Sequence, residues 1–219
     1  QYAQLTGVER FVYASSGCGV YGGDAEIPYT EDDITIRHDT PYQVTKQLGE
    51  MYAYYFHTLY DLPIVNARFF NSFGPGEVPG EYRNVIPNFF YWARQGKALP
   101  ITGDGSETRD WTYVGDVVDG LLRMAVVDAA IGDAFNLATG SDTEVIEMAR
   151  LINDRVGNEA GVEHVGRREW DNKARIVGSV EKSKRVLGYE PSVGFEAGLD
   201  RVHEWFEENL DRIDDCAEF

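Results

Sequence analysis

Two apolar segments, each followed by a glycine-rich loop, stand on either side of a long helical pattern. The segments are VERFVYA at residues 8–14 and LPIVNARFF at residues 62–70, and their loops are SSGCGVYGG and NSFGPGEVPG. Strands that alternate with helices and end in such loops are typical of a parallel α/β sheet, whose binding sites lie at the carboxyl ends of the strands. The sequence therefore predicts an α/β fold with site residues in these loops.

The helix between these strands has a well-marked start. Thr40 is a hydroxyl cap, Pro41 suits the first helical position, and Gln43 completes a capping box. Tyr42 and Lys46 then lie one turn apart on the same side of the helix. Since a phenol loses its proton only near pH ~10, a lysine one turn away is a means of stabilising the phenolate. The pair is a candidate general base, and the alternative is an ordinary solvated helix face.

An aromatic stripe follows on the same helix, which extends to about Tyr60. Its members recur at helical spacing and are Met51, Tyr52, Tyr55, Phe56 and Leu59. This pattern predicts a face buried in the core. Further helices are expected at residues 85–95, 115–126, 143–157 and 195–210, and further strands at residues 98–103 and 134–139.

The chain is strongly acidic, with 37 Asp and Glu residues against 20 Lys and Arg residues and a net charge of −17 at pH 7. Such a surface repels nucleic acid and anionic membranes, and no apolar run reaches the ~18 residues of a membrane span. Neither partner is expected. Because the acidic residues are spread along the whole chain, the charge indicates the solvated surface of a salt-adapted cytoplasmic protein.

The cysteines and histidines are too scattered to indicate a disulfide framework or a metal site. Cys18 and Cys216 lie near opposite ends of the chain, and the histidines stand at positions 38, 57, 164 and 203. No metal is expected.

Seven segments follow one another in a familiar order: RFVYASS…VYG, TPYQVTKQLGE, NARFFNSFGPGE, NVIPNF, TRDWTYVGDVVDGLL, FNLATG and LGYEP. In this order they resemble the extended short-chain dehydrogenase/reductase family, and within it the NAD-dependent nucleotide-sugar epimerases and dehydratases of the UDP-glucose 4-epimerase type. The resemblance implies the carboxyl-terminal part of a Rossmann-like NAD-binding sheet in residues 1–73 and 110–138. It implies a smaller mixed α/β lobe for the nucleotide sugar in residues 74–109 and 139–219.

The resemblance also implies a reaction. Tyr42 takes a proton from the sugar 4-hydroxyl while a hydride passes to tightly bound NAD, and the 4-ketosugar turns over before the hydride returns. Lys46 assists Tyr42 and hydrogen-bonds the nicotinamide ribose. Ser15 is expected beside the cofactor, as is Phe69, which replaces a tyrosine of some epimerases and so carries over only a packing role.

One position departs from the family. Counting back from VYG, the catalytic serine or threonine falls on Gly17, which has no side chain. We expect Ser16 to supply this hydroxyl through a small shift of the loop. The alternative is that Ser16 only caps the strand end and that Tyr42 acts without a hydroxyl partner.

The substrate residues implied by the resemblance hold a nucleotide diphosphate, which an acidic protein must neutralise locally. They are Asn71, Asn84, Val85, Arg109, Arg168 and Asp171. Asn71 has the alternative of shaping a turn, and Arg109 that of pairing with Asp110.

The loop before VYG favours an epimerase. Related 4,6-dehydratases and UDP-glucuronate decarboxylases usually carry an acid there, whereas this chain has Cys18 and Gly19. We interpret Cys18 as a packing residue.

The family's glycine-rich fingerprint, G-x-x-G-x-x-G, does not follow a strand in the printed sequence. We therefore expect the first half of the NAD-binding domain to be absent, the isolated chain to be inactive, and a sheet edge to be exposed at residues 10–14. A noncatalytic nucleotide-sugar-binding fragment, or a piece completed by another chain, remains the alternative. The resemblance also implies a homodimer formed partly by the Tyr42 helix, for which the stripe from Met51 to Leu59 is the candidate contact.

Overall fold

The structure, a computed structural model, describes residues 1–21, 26–167, 173–217 and 219. The helices are α1 Tyr2–Thr6, α2 Gly17–Val20, α3 Pro41–Tyr60, α4 Val85–Arg94, α5 Val114–Val126, α6 Val145–Val156, α7 Glu181–Leu187, α8 Phe195–Glu208 and α9 Leu210–Cys216, with a 3-10 turn at Asp128–Ala130. The strands are β1 Phe11–Ser16, β2 Ile64–Phe69, β3 Asn71–Phe73, β4 Leu99–Thr102, β5 Thr108–Arg109, β6 Trp111–Tyr113, β7 Ala134–Leu137, β8 Thr143–Glu144, β9 Val162–Val165 and β10 Arg175–Ile176.

The first of two compact units holds the expected parallel sheet. It comprises residues 1–72, 110–142 and 175–192. Its strands lie in the order β1-β2-β7 and are all parallel, with Ser16 at the end of β1 paired in register with Phe69 at the end of β2. The α/β prediction is confirmed. Among the described residues, β1 pairs only with β2 and so forms an edge of this sheet.

Helices α5 and α7 pack with this sheet to form the core of the first unit. Its buried members are Val65, Ala67, Val117, Met124, Ala130, Phe135, Leu137, Leu187 and Tyr189. Because Leu187 and Tyr189 belong to this cluster, and the Ser183 hydroxyl donates to the Asn136 carbonyl oxygen of β7, residues 175–192 belong to the first unit. The division expected from the sequence gave them to the second lobe.

Helix α3 begins as its capping residues predict. The Thr40 hydroxyl accepts from the Gln43 amide, the Gln43 side chain accepts from the Thr40 amide at 3.1 Å, and Pro41 is the first helical residue. The orphan amides of the first turn are thereby satisfied.

The stripe on α3 is not a core face of this chain, contrary to the expectation from its spacing. Met51, Tyr52, Tyr55 and Leu59 are all exposed, whereas the buried residues of α3 are Glu50 and Ala53. Helical spacing identifies a face without saying what covers it, and the side of α3 that meets the sheet is partly polar.

The second unit comprises residues 73–109, 143–174 and 193–219. Strand β4 pairs in parallel with β9, β5 pairs antiparallel with β8, and α6 packs against α4 and α8. Phe90 and Phe206 pack against each other inside this unit with tilted rings whose centroids are 5.4 Å apart.

Among the residues that the structure describes, no helix is both long enough and apolar enough to cross a membrane.

Candidate active site

Helix α3 presents Tyr42 and Lys46 at the sheet. The Lys46 ammonium donates to the Ala14 carbonyl oxygen of β1 at 2.9 Å and lies 5.6 Å from the centre of the Tyr42 ring. The Tyr42 side chain is about half exposed. The structure therefore brings the two residues together, with the phenol open to solvent and a cation fixed beside it.

Tyr13 also lies close to Lys46, and no sequence signal selected it. Its ring centre is 6.0 Å from the Lys46 ammonium, and its hydroxyl donates to the Lys46 carbonyl oxygen at 3.4 Å. Burial raises the pKa of Tyr13, and the nearby Glu50 and Tyr42 raise it further, so this hydroxyl stays a donor. The alternation of β1, which points Tyr13 and Ser15 to the same face, is the signal that could have found it.

Ser16 lies at the turn from β1 into α2. Its hydroxyl caps α2 by accepting from the Gly19 amide at 3.1 Å. A Cβ atom built on Gly19 would lie 3.2 Å from this hydroxyl and 3.5 Å from Cε1 of Tyr42. Ser16 and the Tyr42 ring thus border the same small space beside Gly19.

The neighbours of Ser16 have different surroundings. A Cβ atom on Gly17 would lie 2.3 Å from the Phe70 ring, so this backbone has no room for a side chain at position 17. Ser15 is buried and donates its hydroxyl to Glu50 at 2.5 Å. Of the two serines, Ser16 is the one whose hydroxyl borders the same space as the Tyr42 ring.

The end of β2 carries two more of the expected residues. Phe69 is partly buried and packs against the core cluster of the first unit. The Asn71 backbone amide donates to the Asp110 backbone carbonyl oxygen at 3.1 Å. The Asn71 side-chain oxygen accepts a long 3.6 Å hydrogen bond from the Cys18 thiol. Cys18 therefore has a polar contact with an expected substrate residue in addition to its packing.

Asp110 organises the loop after β7. Its buried carboxylate accepts from the amide and hydroxyl of Thr139 at 2.9 and 2.7 Å and from the Gly140 amide at 3.0 Å. Burial raises the pKa of Asp110, while these hydrogen bonds oppose the rise. From the sequence, Asp110 was a candidate only as a partner for Arg109. A carboxylate that accepts backbone amides produces no recognisable residue spacing in the sequence.

The remaining expected substrate residues belong to the second unit or lie outside the described residues. Asn84 occupies the N-cap position of α4 without a capping hydrogen bond from its side chain, and its side-chain amide donates to Glu77 at 2.6 Å. Val85 is the first residue of α4 and is partly buried. The Arg109 side chain is largely buried and donates to the Thr108 carbonyl oxygen at 2.9 Å. Arg168 and Asp171 lie outside the described residues.

Glu77 is a further residue that the sequence analysis did not select. Burial raises the pKa of its carboxyl, and the hydrogen bonds from Asn84 oppose the rise. A substrate group that accepts a hydrogen bond from the Asn84 side-chain amide has to compete with the Glu77 carboxylate for that donor.

Comparison with known proteins indicates the family to which a chain with this geometry belongs. Residues 1–138 match the NAD dependent epimerase/dehydratase family. The chain is 33% identical to UDP-glucose 4-epimerase of Mycolicibacterium smegmatis over 204 residues, which are 93% of this chain and 64% of that protein.

Two solved structures are also similar. An epimerase of Methanothermobacter thermautotrophicus is 63% identical with a TM-score of 0.98, over 100% of this chain and 65% of that one. UDP-glucose 4-epimerase of Thermotoga maritima with UDP-glucose is 29% identical with a TM-score of 0.90, over 95% of this chain and 66% of that one. The chain thus spans less than two thirds of the length of these relatives. The family match over residues 1–138 agrees with the parallel sheet and with the Tyr42–Lys46 pair. The chain belongs to the NAD-dependent epimerase/dehydratase family.

Proposed function

We propose that this chain carries the catalytic groups and the substrate lobe of an NAD-dependent nucleotide-sugar epimerase of the UDP-glucose 4-epimerase type. The observation that carries the proposal is the grouping of Ser16, Tyr42 and Lys46 around the end of β1. The relatives named UDP-glucose 4-epimerase support a UDP-sugar as the substrate class.

The cofactor of this family is NAD, and two observations fit its nicotinamide-ribose end. Lys46 has three N–H donors and gives one to Ala14, so donors remain for ribose hydroxyls. Tyr42 is open enough to approach a ribose and a sugar. NAD, when bound, supplies the group that takes up a hydride and returns it.

The residues of this chain then handle the proton. Tyr42, as phenolate, takes the proton of the sugar 4-hydroxyl as the C4–O bond becomes a carbonyl, and returns it when the hydride comes back to the other face of C4. Lys46 stabilises the phenolate by its charge, and the Ser16 hydroxyl donates to the sugar oxygen. The sugar turns over between the two steps, so no net redox change results.

The nucleotide part is assigned to the residues that the resemblance implies. Asn71 and Arg109 are proposed to hold the diphosphate, and Asn84 and Val85 to line the nucleotide pocket, with Arg168 and Asp171 completing the site. Because the chain carries a net charge of −17, the arginines supply the local positive charge that a diphosphate needs.

Epimerisation is preferred to dehydration or decarboxylation because of Gly19. An acid at this position would begin with a Cβ atom 3.2 Å from the Ser16 hydroxyl, closer than most real contacts of a Cβ atom. The extra proton donor or acceptor that dehydratases use in this loop is therefore disfavoured.

A homodimer and a salt-adapted cytoplasmic setting complete the proposal. The exposed apolar residues of α3 form a continuous candidate contact, and they are Val44, Leu48, Met51, Tyr52, Tyr55 and Leu59. Their exposure supports a protein partner because large apolar patches are unusual on monomers.

The test is to incubate the native protein with NAD and UDP-galactose and to follow the anomeric proton signals of UDP-glucose. We expect interconversion, with a loss of about 10²-fold or more for Tyr42→Phe. Tyr52→Phe, an exposed tyrosine on the same helix, is the matched control and should keep its rate. Mass spectrometry of the nucleotides released on denaturation identifies what the chain retains.

Other outcomes separate the alternatives. Loss of water from the sugar indicates a dehydratase, and loss of carbon dioxide from UDP-glucuronate indicates a decarboxylase. Calorimetric binding of UDP-galactose without conversion supports a noncatalytic nucleotide-sugar-binding fragment. A native protein that neither binds nor converts the UDP-sugar contradicts the proposal.

A further inference from the structure

A buried ion pair lies directly behind the candidate site. Glu50 of α3 and Arg68 of β2 are almost completely buried, and two parallel hydrogen bonds of 2.9 and 2.8 Å join the guanidinium to the carboxylate. Glu50 stands one turn after Lys46 and two turns after Tyr42. The pair therefore ties the site helix to the central strand of the sheet.

The same pair holds both ends of the α2 turn. At its start, the Ser15 hydroxyl donates to the Glu50 carboxylate. At its end, the Tyr21 hydroxyl accepts from Arg68 at 3.0 Å and donates to Asn136 at 2.5 Å. Arg68 also donates to the Glu31 carbonyl oxygen at 2.7 Å, so each of its three nitrogens has an acceptor.

Such a pair is a poor source of stability by itself. Removing two charges from water opposes folding, and apolar residues of similar volume often serve stability equally well. What the pair supplies is geometry, because a bidentate arginine and carboxylate fix each other in distance and plane. Here the fixed geometry joins α3 to the two ends of the turn that contains Gly19.

We propose that Glu50 and Arg68 are positioning residues, which clamp the α2 turn through Ser15 and Tyr21 and so hold the Ser16 hydroxyl beside Tyr42. This proposal rests on the proposed function, since it gives the clamp a role in that reaction. Neither residue is among the nearest neighbours of Gly19, and the clamp acts on Ser16 through Ser15 and Tyr21.

The first test removes the two hydrogen bonds that join the ion pair to the α2 turn and keeps the ion pair itself. In Ser15→Ala/Tyr21→Phe, the Glu50–Arg68 bonds remain and only two hydroxyl groups are lost. We expect the Gly19 amide, which donates to Ser16, to exchange its hydrogen about tenfold faster. We also expect a weaker nuclear Overhauser effect between the Gly19 α-protons and the Tyr42 ring. Unchanged exchange and an unchanged Overhauser effect would overturn the proposal.

The second test removes the charges. Arg68→Met leaves Glu50 buried without its cation and should lower the melting temperature strongly. Glu50→Leu/Arg68→Met should recover most of the melting temperature while the Gly19 signals stay perturbed. A purely structural pair would instead recover both. The exposed pair on α5, in the variant Asp119→Leu/Arg123→Met, is the matched control and should leave the Gly19 signals unchanged.

These readouts need no ligand. A wild-type chain that fails to interconvert UDP-sugars contradicts the proposed function alone, whereas the Gly19 signals decide the clamp. In the epimerase assay, Ser15→Ala/Tyr21→Phe should lower kcat about tenfold and leave KM for UDP-galactose unchanged, because the clamp sets the reacting geometry rather than substrate binding. A rise in KM with an unchanged kcat would contradict that role.

Discussion

Phe70 fills the space that a side chain on Gly17 would need. A Cβ atom on Gly17 would lie 2.3 Å from Cε2 of this ring, and one on Gly178 would lie 2.5 Å from its Cζ. The buried ring is thus in close contact with two glycines and can give way to neither without disturbing the other. The hydroxyl that the family resemblance places at position 17 is excluded here by packing.

Replacing Gly17 by serine should therefore destabilise the protein without adding a useful hydroxyl. We expect overpacking to lower the free energy of unfolding by about 1–3 kcal/mol, measured by urea denaturation. Gly166→Ser is the matched control, because nothing lies within 4 Å of a Cβ atom at that position. Gly17→Ser/Phe70→Leu should regain part of the loss. A stable Gly17→Ser with faster epimerisation would return the catalytic hydroxyl to position 17.

The two adjacent serines should respond differently to alanine. Ser16→Ala removes the hydroxyl that borders the Tyr42 ring and is expected to lower kcat by about 10²-fold, with a loss of about 1 kcal/mol of stability because the cap of α2 is lost as well. Ser15→Ala removes a buried donor to Glu50 and is expected to lower the free energy of unfolding by about 1 kcal/mol. Steady-state rates and thermal melts on both variants check this, and wild-type rates for Ser16→Ala would end its assignment.

Local sequence signals predicted the framework of this site well. Thr40, Pro41 and Gln43 are neighbours in the sequence, and their capping contacts depend on little else, so the start of α3 could be predicted to the residue. The spacing of Tyr42 and Lys46 follows directly from that start. Long apolar segments and glycine loops likewise located β1 and β2 within a few residues.

The parts that were missed depend on contacts between distant residues. No sequence signal selected Glu50 or Arg68, and only the crossing of α3 over β2 makes each the partner of the other. The exposure of Tyr52 and Tyr55 was missed for a related reason, since spacing alone does not show which helix face meets the sheet. The short helices α1, α7 and α9 were missed because they have five to seven residues.

Stability should depend on pH through Glu31. Burial raises the pKa of its carboxyl above the usual value of 4.5, although the Asn136 amide, Lys182 and Arg68 oppose the rise. Because the folded state prefers the protonated form, the stabilising contribution of this group is present below pH 4.5 and is lost as the pH rises through the folded pKa. Glutamine keeps an oxygen for the Asn136 amide and remains neutral at every pH.

We therefore expect Glu31→Gln to be more stable than wild type at pH 7 and to lose this advantage below pH 4.5. Urea denaturation across that range is the measurement. Glu204→Gln, on the exposed side of α8, controls for the loss of one negative charge. A Glu31→Gln variant that is less stable than wild type at pH 7 would mean that the charge is favourable where it is.

The proposed dimer can be tested on the exposed face of α3. Met51→Glu places a charge in the middle of that face and should convert the dimer to a monomer in analytical ultracentrifugation, with little change in secondary structure. Leu122→Glu makes the same change at a similarly exposed residue of α5 and is the control. A Met51→Glu variant that stays dimeric would show that α3 is not part of the interface. A monomeric wild type would contradict the proposed dimer.

Salt should stabilise this protein, because its net charge outweighs its surface ion pairs. Exposed pairs such as that between Lys184 and Glu190, 3.4 Å apart, contribute only about 0–1 kcal/mol each and weaken as salt is added. Self-repulsion from a net charge of −17 acts on the whole folded chain, and at 1 M salt the screening length falls to about 3 Å. The stability gained by screening this repulsion should therefore exceed the stability lost from the surface ion pairs.

We expect the melting temperature to rise by several degrees, on the order of 1 kcal/mol of stability, between dilute buffer and molar KCl. Sucrose at equal osmolality is the control, because it is excluded from protein surfaces without screening charge. A rise with KCl well beyond that with sucrose identifies screening as the cause. Equal stability in dilute buffer and molar KCl would mean that the acidic surface is not a salt adaptation, and the spread of carboxylates along the chain would then need another explanation.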